Sequence, residues 1–218
     1  MSSQPETTGV WTLVVAAGSS ARFGTNKLDV VLHGDQTVFD MSVLQAARAS
    51  EGIVVVVRAG DPLLHAKPTE DVVVVAGGAN RSASVRAGLA VVPAAARFVL
   101  VHDAARPLAD AALYARVVAA LRAGAAAAVP VVPVVDTIRS VTGGVVDREQ
   151  LRAVQTPQGF QADVVRRAHA QASDATDDAT LAERAGFEVV LVEGDVRNLK
   201  ITRPADIAVA QAQLVHPS

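Results

Sequence analysis

The sequence predicts an α/β fold: a mostly parallel sheet flanked by helices, with a β-arm projecting from it. Three observations carry this. Short Val-rich runs alternate with longer Ala-rich amphipathic stretches along most of the chain. The Val-rich runs are apolar at nearly every position, as strands buried on both faces of a parallel sheet must be. One segment breaks the alternation with a Gly143-Gly144 turn between two short runs, the pattern of a hairpin.

Taken in order, strands are expected at 11–16, 53–58, 72–76, 98–101, 126–129 and 188–192. Helices are expected at 38–49, 82–92, 110–122, 162–172, 179–185 and 204–214. Asp110 and Asp163 suit helix starts, where a carboxylate accepts backbone N–H groups that have no partner within the helix. Pro204 suits a first helical position, because its missing N–H would go unused there. The alternation implies a doubly wound arrangement with right-handed crossovers. The hairpin falls at 136–141 and 145–148, and the arm as a whole at about 136–152. Its edges would need covering, most simply by a second subunit. Residues 1–9 are polar and read as a flexible tail, leaving 10–218 as a single domain.

Composition narrows the function. With 218 residues, 50% of them hydrophobic, the chain can bury a sizeable core. Aromatics are only 3%, so that core must be built from Ala, Val and Leu. A net charge of −2 argues against a nucleic-acid partner, which calls for a basic face. No apolar run is long enough to span a membrane. Cysteine is absent, which excludes disulfides, thiolate metal sites and a Cys nucleophile and fits a cytoplasmic protein.

The most informative segment is His102-Asp103-Ala104-Ala105-Arg106-Pro107. It follows the apolar run 98–101, so it places an acid and a guanidinium at the carboxyl end of a strand, the edge where open α/β sheets bind ligands. Asp103 can take a ribose hydroxyl or a metal ion, and Arg106 can fork onto phosphate oxygens. A capping Asp with a surface Arg would give the same pattern. The first strand runs into Ala16-Ala17-Gly18-Ser19-Ser20-Ala21-Arg22, with Lys27 beyond. Small residues there let backbone N–H groups approach phosphates, and Arg22 and Lys27 add charge.

Four further segments carry candidates. Gly77-Gly78 would let a ligand lie against the backbone, and Ser84 in the next helix could bond a base edge; helix capping by Asn80 or Ser82 is the plainer reading. Gln155-Thr156-Pro157-Gln158-Gly159-Phe160 reads as a polar turn, and Thr176-Asp177-Asp178-Ala179 as a possible helix cap. Lys200 stands among apolar neighbours, where it either snorkels to solvent or stabilises charge on a transferring phosphoryl group.

Together these motifs resemble the 2-C-methyl-D-erythritol 4-phosphate cytidylyltransferase family of the non-mevalonate isoprenoid pathway. The pieces that carry the resemblance are Val101 to Pro107, Arg81-Ser82-Ala83-Ser84-Val85 with Gly88-Leu89, Thr156-Pro157-Gln158, Thr176-Asp177-Asp178-Ala179 and Lys200-Ile201-Thr202-Arg203-Pro204. The resemblance implies a nucleotide-diphospho-sugar transferase-like, Rossmann-like fold with a dimerising arm. It implies transfer of CMP from CTP to a polyol phosphate with release of pyrophosphate, using Mg²⁺. By motif, Ala16, Ala17, Gly18, Arg22 and Lys27 would hold the triphosphate, and Gly78 and Ser84 the cytosine. Asp103 and Ala104 would sit by the ribose, with Asp103 also on the metal. Asp103, Arg106, Thr176 and Lys200 would face the methylerythritol phosphate, and Arg22, Lys27 and Lys200 would act on the reacting phosphates. Thr137 and Arg148 would reach a partner subunit's site in a homodimer. Two alternatives stay open: a ribitol-5-phosphate cytidylyltransferase, and a weakened nucleotide-binding paralogue suggested by the irregular loop at Asn26-Lys27.

Overall fold

The computed structural model describes residues 7–18, 23, 26–65, 71–171, 175 and 177–215. Strand β1, Val10–Val15, lies in the middle of an eight-stranded sheet. It pairs in parallel with β4, Gly52–Val57, on one side and with β6, Phe98–Asp103, on the other. Beyond β4 comes β5, Val72–Ala76, also parallel. Beyond β6 comes β11, Gln158–Gln161, antiparallel to both β6 and β7, Ala127–Pro133. The far edge of β7 takes β12, Val189–Glu193, in parallel. The short β10, Arg152–Val154, pairs antiparallel with the outer end of β7.

All six expected strands form, within a residue or two at each start and up to four at an end. Strand β11 corrects the polar-turn reading of 155–160. Its residues belong in the sheet because Gly159 leaves room for helix α3, Ala111–Arg122: a Cβ at Gly159 would stand 2.4 Å from Val117 Cγ1. Strand β11 also fills the gap between β6 and β7, which could otherwise have paired directly. A small hairpin of β2, Val31–His33, and β3, Gln36–Thr37, was not anticipated either; it is too short to show a period.

The helices follow the apolar pattern closely. Helix α1 spans Val38–Ala49 and opens with a reciprocal cap between Thr37 and Asp40. Helix α2 spans Arg81–Leu89, with the Asn80 side chain accepting from Ala83 N at 2.8 Å. It stops short of the expected Val92 because Pro93 disfavours helical backbone just before it. Asp110 caps α3 as expected, through Leu113 N at 2.9 Å. Helices α4, Ala162–Gln171, α5, Asp178–Arg184, and α6, Ala205–Val215, complete the set.

Alternate strand residues divide the core in two. Val10, Val14, Ile53, Val55, Phe98 and Leu100 meet α1, α3 and α6. Leu13, Val54, Val56, Val99 and Val101 meet α2, α4 and α5. This is the doubly wound architecture, and it leaves the carboxyl ends of β1 and β6 side by side, with Val15 opposite Asp103. Residues 7–9 form a turn into β1, where the Gly9 carbonyl accepts from Arg97 N and Phe98 N. The arm is present, with β8, Ile138–Arg139, paired to β9, Val145–Val146. Gly143 and Gly144 have φ of 113° and 80°, which only glycine adopts without strain. Val141 and Val145 on this arm are exposed.

Candidate active site

Two hollows open at the carboxyl edge of the sheet and meet at Asp103. The first, about 340 Å³, is lined by Val15 to Gly18, Lys27, Gly78 to Arg81, Ser84, Asp103, Ala105 and Lys200. The second, about 390 Å³, is lined by Arg81, Asp103, Arg106, Val154 to Thr156, Gln158, Asp177, Thr180 and Lys200. Arg81, Asp103 and Lys200 belong to both and form the wall between them.

The electrostatics centre on Asp103. Lys200 Nζ donates to Oδ2 at 2.6 Å, and Arg81 Nε stands 3.7 Å from Oδ1. Burial alone would push this carboxyl up, but the charges of Lys200, Arg81 and Arg106 win and bring it down to about 2. It is therefore an anion at any working pH. Lys200 itself is well exposed, so its ammonium reaches the site by extending along the surface rather than by burial.

Beneath Asp103 lies a buried polar network that fixes the turn to Arg106. Asp103 N donates to Thr156 Oγ1 at 3.0 Å, and that oxygen lies 3.2 Å from His102 Nδ1. His102 Nε2 lies 3.2 Å from the Arg106 carbonyl oxygen. A neutral ring with its proton on Nε2 satisfies every group: Thr156 donates to Nδ1, and Nε2 donates to the carbonyl. Burial drives His102 down to about 4, with the nearby Arg106 cation acting in the same direction, so the ring is neutral. Asn198 ties the Lys200 loop to the same network. Its Nδ2 donates to Thr156 O at 2.9 Å, and its carbonyl accepts from Arg106 Nη1 at 2.7 Å.

The structure gathers most of the residues singled out in the sequence. Ala16, Ala17, Gly18, Lys27, Gly78, Ser84, Asp103 and Lys200 share the first hollow, and Arg106 lines the second. Lys27 Nζ donates to Ile201 O at 2.7 Å, which places its charge near the Lys200 loop. Arg106 braces backbone, giving Nη1 to Asn198 O and Nη2 to Val154 O. Ala104 is buried with its N–H on Val15 O and its carbonyl on Ser42 Oγ, and Ala105 lines the hollow instead. Ser84 Oγ is engaged within the loop, donating to Asn80 O and accepting from Gly78 N. Gly77 and Gly78 are required by packing: a Cβ would lie 2.7 Å from Ser84 Oγ and 2.4 Å from Ala83 Cβ respectively. Thr137 and Arg148 line neither hollow; they sit exposed on the arm, where Arg148 donates to Val135 O. Arg22 and Thr176 lie outside the described residues.

Sequence reasoning missed Arg81 and Asp178. Asp177 caps α5, through Thr180 N at 3.1 Å. Asp178 turns inward instead, with Oδ2 at 2.7 Å from Arg81 Nη1 and Oδ1 at 3.0 Å from His169 Nε2. The available signal was the doubled acid at a helix start that needs only one cap.

An open, mostly parallel sheet whose carboxyl edge carries small-residue loops, one ionised carboxylate and several cations defines a nucleotidyltransferase-like α/β protein. Residues 10–216 match the family described as IspD: 2-C-methyl-D-erythritol 4-phosphate cytidylyltransferase. A 2-C-methyl-D-erythritol 4-phosphate cytidylyltransferase of Nocardia farcinica is 48% identical over 213 residues, covering 93% of this chain and 92% of the relative. The crystal structure of the Thermus thermophilus enzyme of that name superposes with a TM-score of 0.79 at 36% identity, covering 94% of this chain and 98% of the other. A bifunctional enzyme IspD/IspF of Solidesulfovibrio magneticus is 41% identical over 222 residues, covering 91% of this chain and 56% of that longer protein. The chain belongs to the 2-C-methyl-D-erythritol 4-phosphate cytidylyltransferase family.

Proposed function

We propose that the chain transfers a cytidylyl group from CTP to 2-C-methyl-D-erythritol 4-phosphate and releases pyrophosphate, as a cytoplasmic step of non-mevalonate isoprenoid synthesis. The observation that carries this is the pair of hollows meeting at Asp103 between Lys200 and Arg81. One suits a nucleotide and the other a small phosphorylated polyol. The substrate phosphate is already anionic, so no strong base is required. One of its oxygens attacks the α-phosphorus in line, the α–β bridging P–O bond breaks, and pyrophosphate leaves with that electron pair.

Catalysis then rests on holding two polyanions together and stabilising the charge that spreads over the α-phosphoryl oxygens. The Ala16 to Gly18 backbone and Lys27 cradle the triphosphate, with Arg22 following in sequence. Gly78 and Ser84 shape the base pocket, Arg106 lines the hollow for the polyol phosphate, and the family resemblance assigns Thr176 to the same substrate. Lys200 stands at the junction, within reach of both reactants. Among the described residues no group of three or more His, Cys, Asp or Glu could cage a metal. A single ionised Asp103 with nucleotide oxygens is a donor set that suits Mg²⁺. When bound there, that ion would neutralise phosphate charge.

The arm supports a homodimer. Its two short strands leave edges and apolar side chains bare, and Thr137 and Arg148 line neither of their own chain's two hollows. Among the described residues no helix is long and apolar enough to cross a membrane.

The test is pyrophosphate release from CTP with each polyol phosphate. Turnover with methylerythritol 4-phosphate, and little with ribitol 5-phosphate, is expected. Faster release with ribitol 5-phosphate would overturn the substrate, and CTP binding without turnover would overturn the activity.

A further inference from the structure

Arg81 sits where its own helix least favours a cation. It is the first residue of α2, at the end where the helix dipole is positive, and no acidic residue shares that first turn. Two carboxylates hold it there. Asp103 lies in front at 3.7 Å and Asp178 behind at 2.7 Å. Asp178 is almost wholly buried in the first turn of α5, where a carboxylate is favoured. Its other oxygen meets Nε2 of buried His169, in the last turn of α4. Burial works against the charge on Arg81, yet Asp178 and then Asp103 more than offset it and raise its pKa. A continuous row, His169–Asp178–Arg81–Asp103–Lys200, thus runs from the helical layer to the junction of the hollows.

We propose, building on the cytidylyl-transfer reading, that Arg81 is a positioning residue of the reaction: anchored by Asp178 and His169, it holds the Asp103 carboxylate in place when Lys200 swings to the phosphates. Lys200 and Arg81 share that carboxylate, one on each oxygen. Lys200 is a point charge on a flexible stem and is substantially exposed, so an arriving phosphate draws it away from Asp103. Arg81 is gripped from behind and stays. Only a planar fork reaches two carboxylates on opposite sides, so lysine at 81 would keep the bond to Asp178 and lose the hold on Asp103. A mere staple between α2 and α5 would need the Asp178 contact alone.

The two roles separate in steady-state kinetics of wild type, Arg81→Lys, Asp178→Asn and the double variant, with thermal unfolding of each. Arg81→Lys should melt close to wild type and lower kcat by about tenfold or more, with KM for CTP within about threefold. Asp178→Asn should lower kcat by less, and the double variant should be no slower than Arg81→Lys alone, since both changes act on one contact. An unchanged kcat in folded Arg81→Lys, a rise in KM alone, or multiplying effects in the double variant would overturn the proposal. If Asp178→Asn does not fold, the kcat and KM of Arg81→Lys decide the matter. An inactive wild type would instead overturn the cytidylyl-transfer reading, so the two failures are distinguishable.

Discussion

The carboxyl edge of the sheet and the arm, both assigned to one reaction in the proposed reading, stand under opposite physical conditions. At the edge, Asp103 is bonded through its backbone to Thr156 and through its carboxylate to Lys200, and His102 beneath it is wholly buried. On the arm, Val141 is fully exposed and the strands are two residues long. The first region is braced by its own chain. The second is exposed, and its side-chain bonds, such as Arg148 to Val135 O and Ser140 Oγ to Thr142 Oγ1, stay within the arm. The first condition fixes Asp103 in advance, so that its charge costs no reorientation as a transition state forms. The second condition fits a surface that is completed only by another molecule.

The sharpest way to break this contrast is to mix two damaged proteins. Lys200→Ala should lower kcat by about 100-fold or more, roughly 3 kcal/mol of barrier, with folding intact because the side chain is exposed. Arg148→Ala should be similarly impaired if the arm reaches a partner's phosphate site. In a mixed dimer, one site combines an intact Lys200 with an intact Arg148. Random exchange should then restore roughly a quarter of wild-type turnover. No recovery on mixing, or a fully active monomer in sedimentation, would confine the reaction to one chain.

The next effect belongs to the braced region alone. His102 has a folded-state pKa of about 4 against an ordinary 6.5. Between those values the unfolded chain binds a proton that the folded chain refuses, so stability falls as pH falls through that window. The loss should be about 3 kcal/mol between pH 7 and 4. Urea unfolding across that range checks it, and His102→Gln should flatten the slope while lowering the plateau. An identical slope in the variant would put the acid sensitivity elsewhere. The smallest effect belongs to the arm. Val141→Ser should change the melting temperature of a monomer by little, within about 0.5 kcal/mol of stability, yet weaken self-association measured by sedimentation. A large stability loss without any change in association would mean that the arm packs on its own chain.

The same contrast explains what the sequence disclosed. Strands buried on both faces announce themselves as continuous Val and Leu, so β1, β4, β6 and β7 were legible. Strand β11 was not, because its Gln158 is buried by bonding to Asp177 and Ala179 N rather than by apolarity. Asp103 and Lys200 were legible as charges beside strand ends and in an apolar setting. Arg81 was hidden behind a residue pattern that also caps a helix. Its role depends on Asp178, far along the chain, and no local spacing records that meeting. Gly77 and Gly78 are read from sequence as room for a ligand; packing against Ser84 and Ala83 demands glycine there as well, while Gly78 also lines the first hollow.

The late, reversed strand between β6 and β7 also governs how the molecule is made. A ribosome emits β6 some fifty residues before the segment that must lie against it. Until Gln158–Gln161 emerges, β6 and β7 each present an open edge at the centre of the future sheet. Such edges can pair with the wrong neighbour, and long-range pairings of this kind slow folding. The nascent chain therefore completes its central sheet only after nearly three quarters of it has been synthesised, and a fragment ending before β11 should be prone to aggregate.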